Sequence, residues 1–190
     1  MYKFLVKMDI LGEDSETINW VHRKIHREMI KYVKDNLGKD LVGVEIGTLY
    51  GDNAKNMLKF LPIKKLYCID PYIDYKELRR DYLQTQNQFN KTFNSATKRL
   101  KRYKDKVTFI KKYSYDAVND IPDNLDFVYI DGNHAYEYVK QDYELYYPKV
   151  KKGGVIGGHD MGTEGVTKFF LEVAPGKDYH VYFSDWWIVK

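Results

Sequence analysis

Along this chain, short apolar blocks alternate with longer stretches whose apolar positions recur at helical spacing, and that alternation predicts a parallel sheet covered on both faces. The blocks predict strands at Leu41–Ile46, Lys65–Ile69, Val107–Lys111, Leu125–Ile130, Gly154–Gly157, Tyr179–Phe183 and Trp186–Val189. Between Glu16 and Leu37, the residues Trp20, Ile25, Met29, Val33 and Leu37 fall on one helical face. Further helices are expected after each of the first five strands. The last two strands are separated only by Ser184-Asp185, which reads as a hairpin. The expected fold is therefore α/β, a seven-stranded, mostly parallel sheet with a C-terminal antiparallel hairpin. We read residues 1–190 as one domain, with 1–38 as an N-terminal arm and helix and 39–190 as the core. The long polar stretch Tyr72–Arg102 is either a cap over a ligand or a plain crossover helix.

Chemistry concentrates at the ends of the strands. Glu45-Ile46-Gly47-Thr48-Leu49-Tyr50-Gly51 runs off the first strand into two glycines four apart, ahead of a helix, so backbone amides there can approach a ligand that side chains would block. Asp70 follows at the end of the next strand, where an α/β sheet places a carboxylate to accept the two hydroxyls of a ribose. The three glycines of the dinucleotide fingerprint are absent, so a ligand with a ribose and no pyrophosphate fits better. The plainer alternative is a tight strand-to-helix connection, with Asp70 as an N-cap before Pro71.

Two more strand ends carry polar clusters. Phe127-Val128-Tyr129-Ile130-Asp131-Gly132-Asn133-His134 delivers Asp131 and His134, and Gly157-Gly158-His159-Asp160 delivers an imidazole beside a carboxylate. If the strands are neighbours, Asp131, His159 and Asp160 form a hard oxygen and nitrogen set for Mg²⁺ or another divalent cation, leaving His134 as the candidate base. Each cluster also has a plainer reading as a turn, a helix cap or a closed loop.

Composition narrows the class. The 190 residues, 44% hydrophobic, suit one domain with a full core. The amino-terminal MYKFLVKMDI is interrupted by Lys3, Lys7 and Asp9, and no later run suits a bilayer, so a cytoplasmic protein without membrane contact is expected. The single cysteine, Cys68, excludes a disulfide within one chain and reads as a buried thiol. Net charge is +4, with basic clusters at Lys64-Lys65, Lys98–Lys106, Lys111-Lys112 and Lys149–Lys152. Because 27 acidic residues oppose 31 basic ones and the clusters flank strands, they read as solvated strand ends, and a nucleic-acid partner is not expected.

Glu45-x-Gly47-x-x-x-Gly51 followed by Asp70 resembles the first two motifs of class I methyltransferases, whose Rossmann-like sheet also ends in an antiparallel hairpin, and the resemblance extends over nearly the whole chain. Asp-Gly-x-His followed by Gly-Gly-His-Asp resembles the metal-dependent O-methyltransferases of the catechol and macrolide-sugar types. It implies S-adenosylmethionine as cofactor, with Asp70 on the ribose, Gly47 and Gly51 beside the methionine portion, Glu45 supporting that loop, and Tyr113 and Ser114 bordering the adenine. It also implies a divalent metal at Asp131, His159 and Asp160, with Asp131 bordering the cofactor as well, and a catalytic base at His134. Position 159 departs from the better-known members, which carry a carboxylate there. The implied reaction is methylation of a hydroxyl on a small molecule or sugar. Nucleic-acid methylation, or a relative that binds the cofactor without methylating, is the alternative. The sequence leaves the acceptor open, and a homo-oligomer likewise.

Overall fold

The computed structural model describes residues 27–73 and 85–190. The first part of the expected Glu16–Leu37 helix and part of the Tyr72–Arg102 stretch lie outside the described residues. In chain order the elements are helix α1 (Glu28–Asn36), strand β1 (Leu41–Ile46), α2 (Asp52–Phe60), β2 (Ile63–Ile69), α3 (Gln86–Leu100), β3 (Val107–Ile110), α4 (Ser114–Ala117), β4 (Leu125–Ile130), α5 (Tyr136–Tyr146), β5 (Val150–Gly158), α6 (Glu164–Val173), β6 (Asp178–Tyr182) and β7 (Asp185–Val189). The sheet order is β3-β2-β1-β4-β5-β7-β6. The first five strands pair in parallel and the last two antiparallel, as expected for a Rossmann-like methyltransferase sheet.

Both faces of this sheet are packed, which is why its central strands are apolar throughout rather than alternating. Val44, Ile46, Val128, Ile130, Ile156 and Trp186 share one core with Val139 and Tyr146 of α5 and Val166 and Phe169 of α6. Leu66, Cys68, Phe127, Tyr129 and Val155 share the other with Met29 and Val33 of α1 and Met57 of α2. Cys68 is fully buried, and burial pushes its thiol well above its ordinary value. Among the described residues, no helix is long and apolar enough to cross a membrane.

Several strand boundaries differ from the sequence pattern: β2 begins two residues earlier, at Ile63, β3 ends at Ile110, and the larger differences lie at β5 and the hairpin. Strand β5 begins at Val150, although Lys151, Lys152 and Gly153 interrupt the apolar run. Val150 pairs with Leu125, the ladder then shifts register, and Gly153 and Gly154 exchange backbone hydrogen bonds with Lys190, so tertiary pairing overrides local polarity. The hairpin turn falls at Phe183-Ser184 rather than Ser184-Asp185. Phe183 takes a left-handed φ of 52°, and Asp185 joins β7 as a buried residue.

The parallel register brings Ile46, Ile69, Ile130 and Gly158 to a common edge, because Ile46 pairs with both Ile69 and Ile130 and Ile130 pairs with Gly158. Every residue singled out at a strand end therefore emerges on the same side of the sheet, where open α/β sheets bind ligands.

Candidate active site

The turn after β1 is held by its own backbone and by the next strand. Gly47 N–H donates to the Ile69 carbonyl at 2.8 Å, and Gly51 N–H donates to that of Thr48 at 2.7 Å. Gly47 has φ 88°, and a Cβ there would lie 2.1 Å from the Asp131 carbonyl oxygen, so only glycine lets the β1 turn approach the β4 turn. Asp70 closes the other side. Its carboxylate accepts the backbone N–H of Leu49 at 2.9 Å and that of Tyr72 at 2.9 Å, and the Tyr72 hydroxyl donates to the Leu49 carbonyl at 2.8 Å. Burial raises the Asp70 carboxyl above its ordinary value, against those two amides, which favour the charge. Each oxygen keeps a second lone pair for another donor.

Beneath this turn, Glu45 is 1% exposed. Burial raises its carboxyl to about 8, with Asp131 and Asp70 adding to the effect and nearby Thr48 and Asn53 opposing it. Glu45 Oε2, Thr48 Oγ1 and both amide atoms of Asn53 are nonetheless buried without a hydrogen-bond partner of good geometry. These side chains face one another, and the imperfect hydrogen bonds of Thr48 and Asn53 to Glu45 fasten the β1 turn from beneath.

On the far side of β2, Tyr113 stacks on Tyr115 with ring centroids 5.2 Å apart, and Ser114 opens α4. The Ser114 carbonyl accepts the Tyr146 hydroxyl at 2.8 Å. Ser114 also hydrogen-bonds Asp142, a buried carboxyl that desolvation raises to about 7. A Cβ on Gly132 would lie 4.0 Å from Asp142 Oδ2, so this acid sits between the turns after β3 and β4. Asp142 was not foreseen, because on sequence it is one polar position in an ordinary amphipathic helix.

The polar centre joins the ends of β4 and β5. Asp131, His134 and Asp160 each offer one donor atom, and the three atoms lie within 4.8 Å of one another. His134 Nε2 is 3.0 Å from Asp160 Oδ2 and 3.7 Å from Asp131 Oδ1. His159 stands beside this trio rather than in it: its Nδ1 is 3.1 Å from Asp160 Oδ2 and its Nε2 2.6 Å from Ser184 Oγ. Gly165 at the start of α6 packs against the His134 carbonyl, where a Cβ would come to 2.2 Å, which fixes the loop carrying the histidine.

Other unforeseen residues reach this centre from distant elements. Arg27, the N-cap residue of α1, places Nη2 3.5 Å from Asp131 Oδ2 and Nη1 3.9 Å from Asp185 Oδ1. Burial works against its charge, but Tyr129, Asp131, Asp185 and Asp160 together hold the guanidinium above its ordinary value. Asp185 accepts the Tyr129 hydroxyl at 2.9 Å and the Met29 N–H at 3.0 Å, and desolvation raises it to about 6. This acid ties α1 to β4 and β7. Nothing in the apolar periodicity of α1 marks Arg27, since an arginine at a helix start is ordinary.

A family model described as a methyltransferase domain matches residues 44–161, from the β1 turn to just past Asp160. The chain belongs to this methyltransferase-domain family. A curated relative, an uncharacterized protein of Acanthamoeba polyphaga mimivirus, is 32% identical over 138 residues. The match covers 70% of this chain and 57% of that protein, so the chain spans little more than half the length of its relative. Among solved structures, an O-methyltransferase from Bacillus cereus in complex with SAH is similar at TM-score 0.60 and 15% identity, covering all of both chains. A protein described as an rRNA methylase from Clostridium thermocellum is similar at TM-score 0.60 and 16% identity, covering 85% of this chain and 93% of its own. MycE, the mycinamycin-pathway methyltransferase solved with Mg and SAH, is similar at TM-score 0.55 and 17% identity, covering 86% of this chain and 48% of its own. At these identities the structures establish the shared fold.

Proposed function

We propose that this methyltransferase domain transfers a methyl group from S-adenosylmethionine to a hydroxyl of a small molecule or sugar, with His134 as the base and a divalent cation at the carboxylates beside it. The observation that carries the reading is His134, whose Nε2 is buried against Asp131 and Asp160 next to the glycine turn while its side chain as a whole stays 40% exposed. S-adenosylmethionine, when bound, supplies a methyl on a sulfonium, and a divalent ion, when bound, lowers the pKa of an acceptor hydroxyl.

The residues present suit both groups. Asp70 would hold the ribose hydroxyls with its remaining lone pairs, and the Gly47–Gly51 turn, supported from beneath by Glu45, would admit the methionine portion. Tyr113 and Ser114, with Asp142 behind them, would border the adenine. For the cation, the carboxylates of Asp131 and Asp160 offer hard oxygen donors, with His134 kept as the base beside them. Arg27 engages Asp131 Oδ2 and leaves Oδ1 toward His134. His134 Nε2–H faces Asp131 Oδ1 and Asp160 Oδ2, which leaves Nδ1 to take the proton of the acceptor hydroxyl, and the two carboxylates stabilise the imidazolium so formed. The chain's part in catalysis is to position the reactants and hold the proton.

The Bacillus cereus enzyme with SAH and MycE with Mg and SAH support this reading by fold. A second reading has one observation in its favour. A shallow groove of about 540 Å³ is lined by Lys98, Arg99, Lys101, Arg102 and Lys104, a setting that suits a phosphate-bearing acceptor such as nucleic acid. Transfer of labelled methyl to a panel of sugars, catechols and RNA, with and without EDTA, separates the two. Activity on hydroxyl compounds that is lost with EDTA and in Asp160→Ala is expected. Full activity under both treatments defeats the metal assignment, and labelling of RNA alone defeats the acceptor assignment.

A further inference from the structure

Asp160 stands at a strained position. Its φ is 61°, in the left-handed region that a residue with a Cβ enters at a cost, so its surroundings must hold it there. Thr163 does part of this, donating from both its N–H and its hydroxyl to the Asp160 carbonyl at 3.0 Å each. The rest comes from the β6–β7 hairpin. Met161 N–H donates to the Ser184 carbonyl at 2.9 Å, and Ser184 Oγ reaches His159 Nε2 at 2.6 Å, while His159 Nδ1 faces Asp160 Oδ2 at 3.1 Å.

We propose that Ser184 is a positioning residue for the active site, acting through His159 to fix the carboxylate of Asp160. An ionised carboxylate repels a ring lone pair, so the neutral His159 ring must carry its hydrogen on Nδ1, the nitrogen 3.1 Å from Asp160 Oδ2. The lone pair then lies on Nε2, and the Ser184 hydroxyl donates to it. Both ring nitrogens are thereby committed, which makes His159 a support for Asp160 rather than a metal ligand. Outer partners of this kind orient a ligand carboxylate much as a second hydrogen bond orients a ligating histidine. His134 Nε2 approaches the same oxygen, Oδ2, so the two imidazoles crowd one side of the carboxylate and direct Oδ1 to the cation or substrate. The proposal rests on Asp160 belonging to the methyl-transfer site.

The test is nitrogen-15 NMR of the imidazole rings in the full chain, with His159→Gln assigning the signal. In the wild type His159 should be the Nδ1–H tautomer at neutral pH. Ser184→Ala and Asp160→Ala should each shift it toward a mixture, and Ser184→Thr, which keeps the hydroxyl, should restore it. Mg²⁺ affinity, measured by calorimetry, should fall about 10- to 100-fold in Ser184→Ala and recover in Ser184→Thr. An Nε2–H tautomer in the wild type overturns the proposal, as does a tautomer unmoved by Ser184→Ala. Absence of Mg²⁺ binding or methyl transfer in the wild type counts against the functional reading instead, since the tautomer is measured independently of both.

Discussion

His134 Nε2 lies 3.0 Å from Asp160 Oδ2, joining the loop after β4 to the loop after β5 across the edge of the sheet. Neither residue is near the other in sequence, and their meeting depends on β4 and β5 being parallel neighbours in register, Ile130 against Gly158. A base held against an acid can accept a proton without building uncompensated charge.

Replacing His134 should therefore affect rate far more than fold. His134→Ala is expected to lower single-turnover methyl transfer about 100- to 10,000-fold while leaving cofactor affinity unchanged. Rates measured from pH 5 to 9 should show a histidine limb in the wild type that is missing from the variant. A limb that persists assigns the proton to another group.

Asp70→Ala should weaken S-adenosylmethionine binding by about 1.5–3 kcal/mol per charge-assisted hydrogen bond lost. Because Asp70 also accepts the Leu49 and Tyr72 amides, the variant should lose some stability as well. Calorimetry alongside a denaturation curve separates the two effects, and unchanged affinity rules out the ribose role.

Glu45 makes stability depend on pH in a definite direction. Its folded-state value of about 8 exceeds the ordinary 4.5, so the folded chain prefers the protonated acid. That contribution is fully present below pH 4.5 and is lost as pH rises through about 8. Between pH 5 and pH 8 it should cost about 3 kcal/mol. Urea denaturation of Glu45→Gln at both pH values should show a smaller drop in stability than the wild type. An equal drop would assign the pH dependence to other buried acids, Asp142 and Asp185 first.

Arg27→Ala removes the cation that Asp131 and Asp185 share. The expected outcome is a loss of about 1–3 kcal/mol in denaturant stability, since an uncompensated, largely buried carboxylate remains. Mg²⁺ binding, by contrast, should tighten, because a competing positive charge beside Asp131 is gone. Weaker Mg²⁺ binding in this variant would argue against Asp131 as a cation ligand.

The sequence by itself determined the α/β class, the seven strands and the strand-end placement of Glu45, Gly47, Asp70, Asp131, His134, His159 and Asp160. Those features are local: a buried parallel strand must be apolar, a close turn needs glycine, and a polar residue at the end of such a strand has one edge to occupy. Only the tertiary structure decided which polar groups meet. The ring nitrogens of His159 face Ser184 and Asp160, a pairing set by where the β6–β7 hairpin folds back. Arg27 reaches Asp131 only because Asp185 anchors the start of α1, and Asp142 meets Ser114 only because α5 packs across the β3 and β4 turns. These contacts join residues far apart in the chain through side chains that a polar surface position would carry equally well, so periodicity and spacing leave no trace of them.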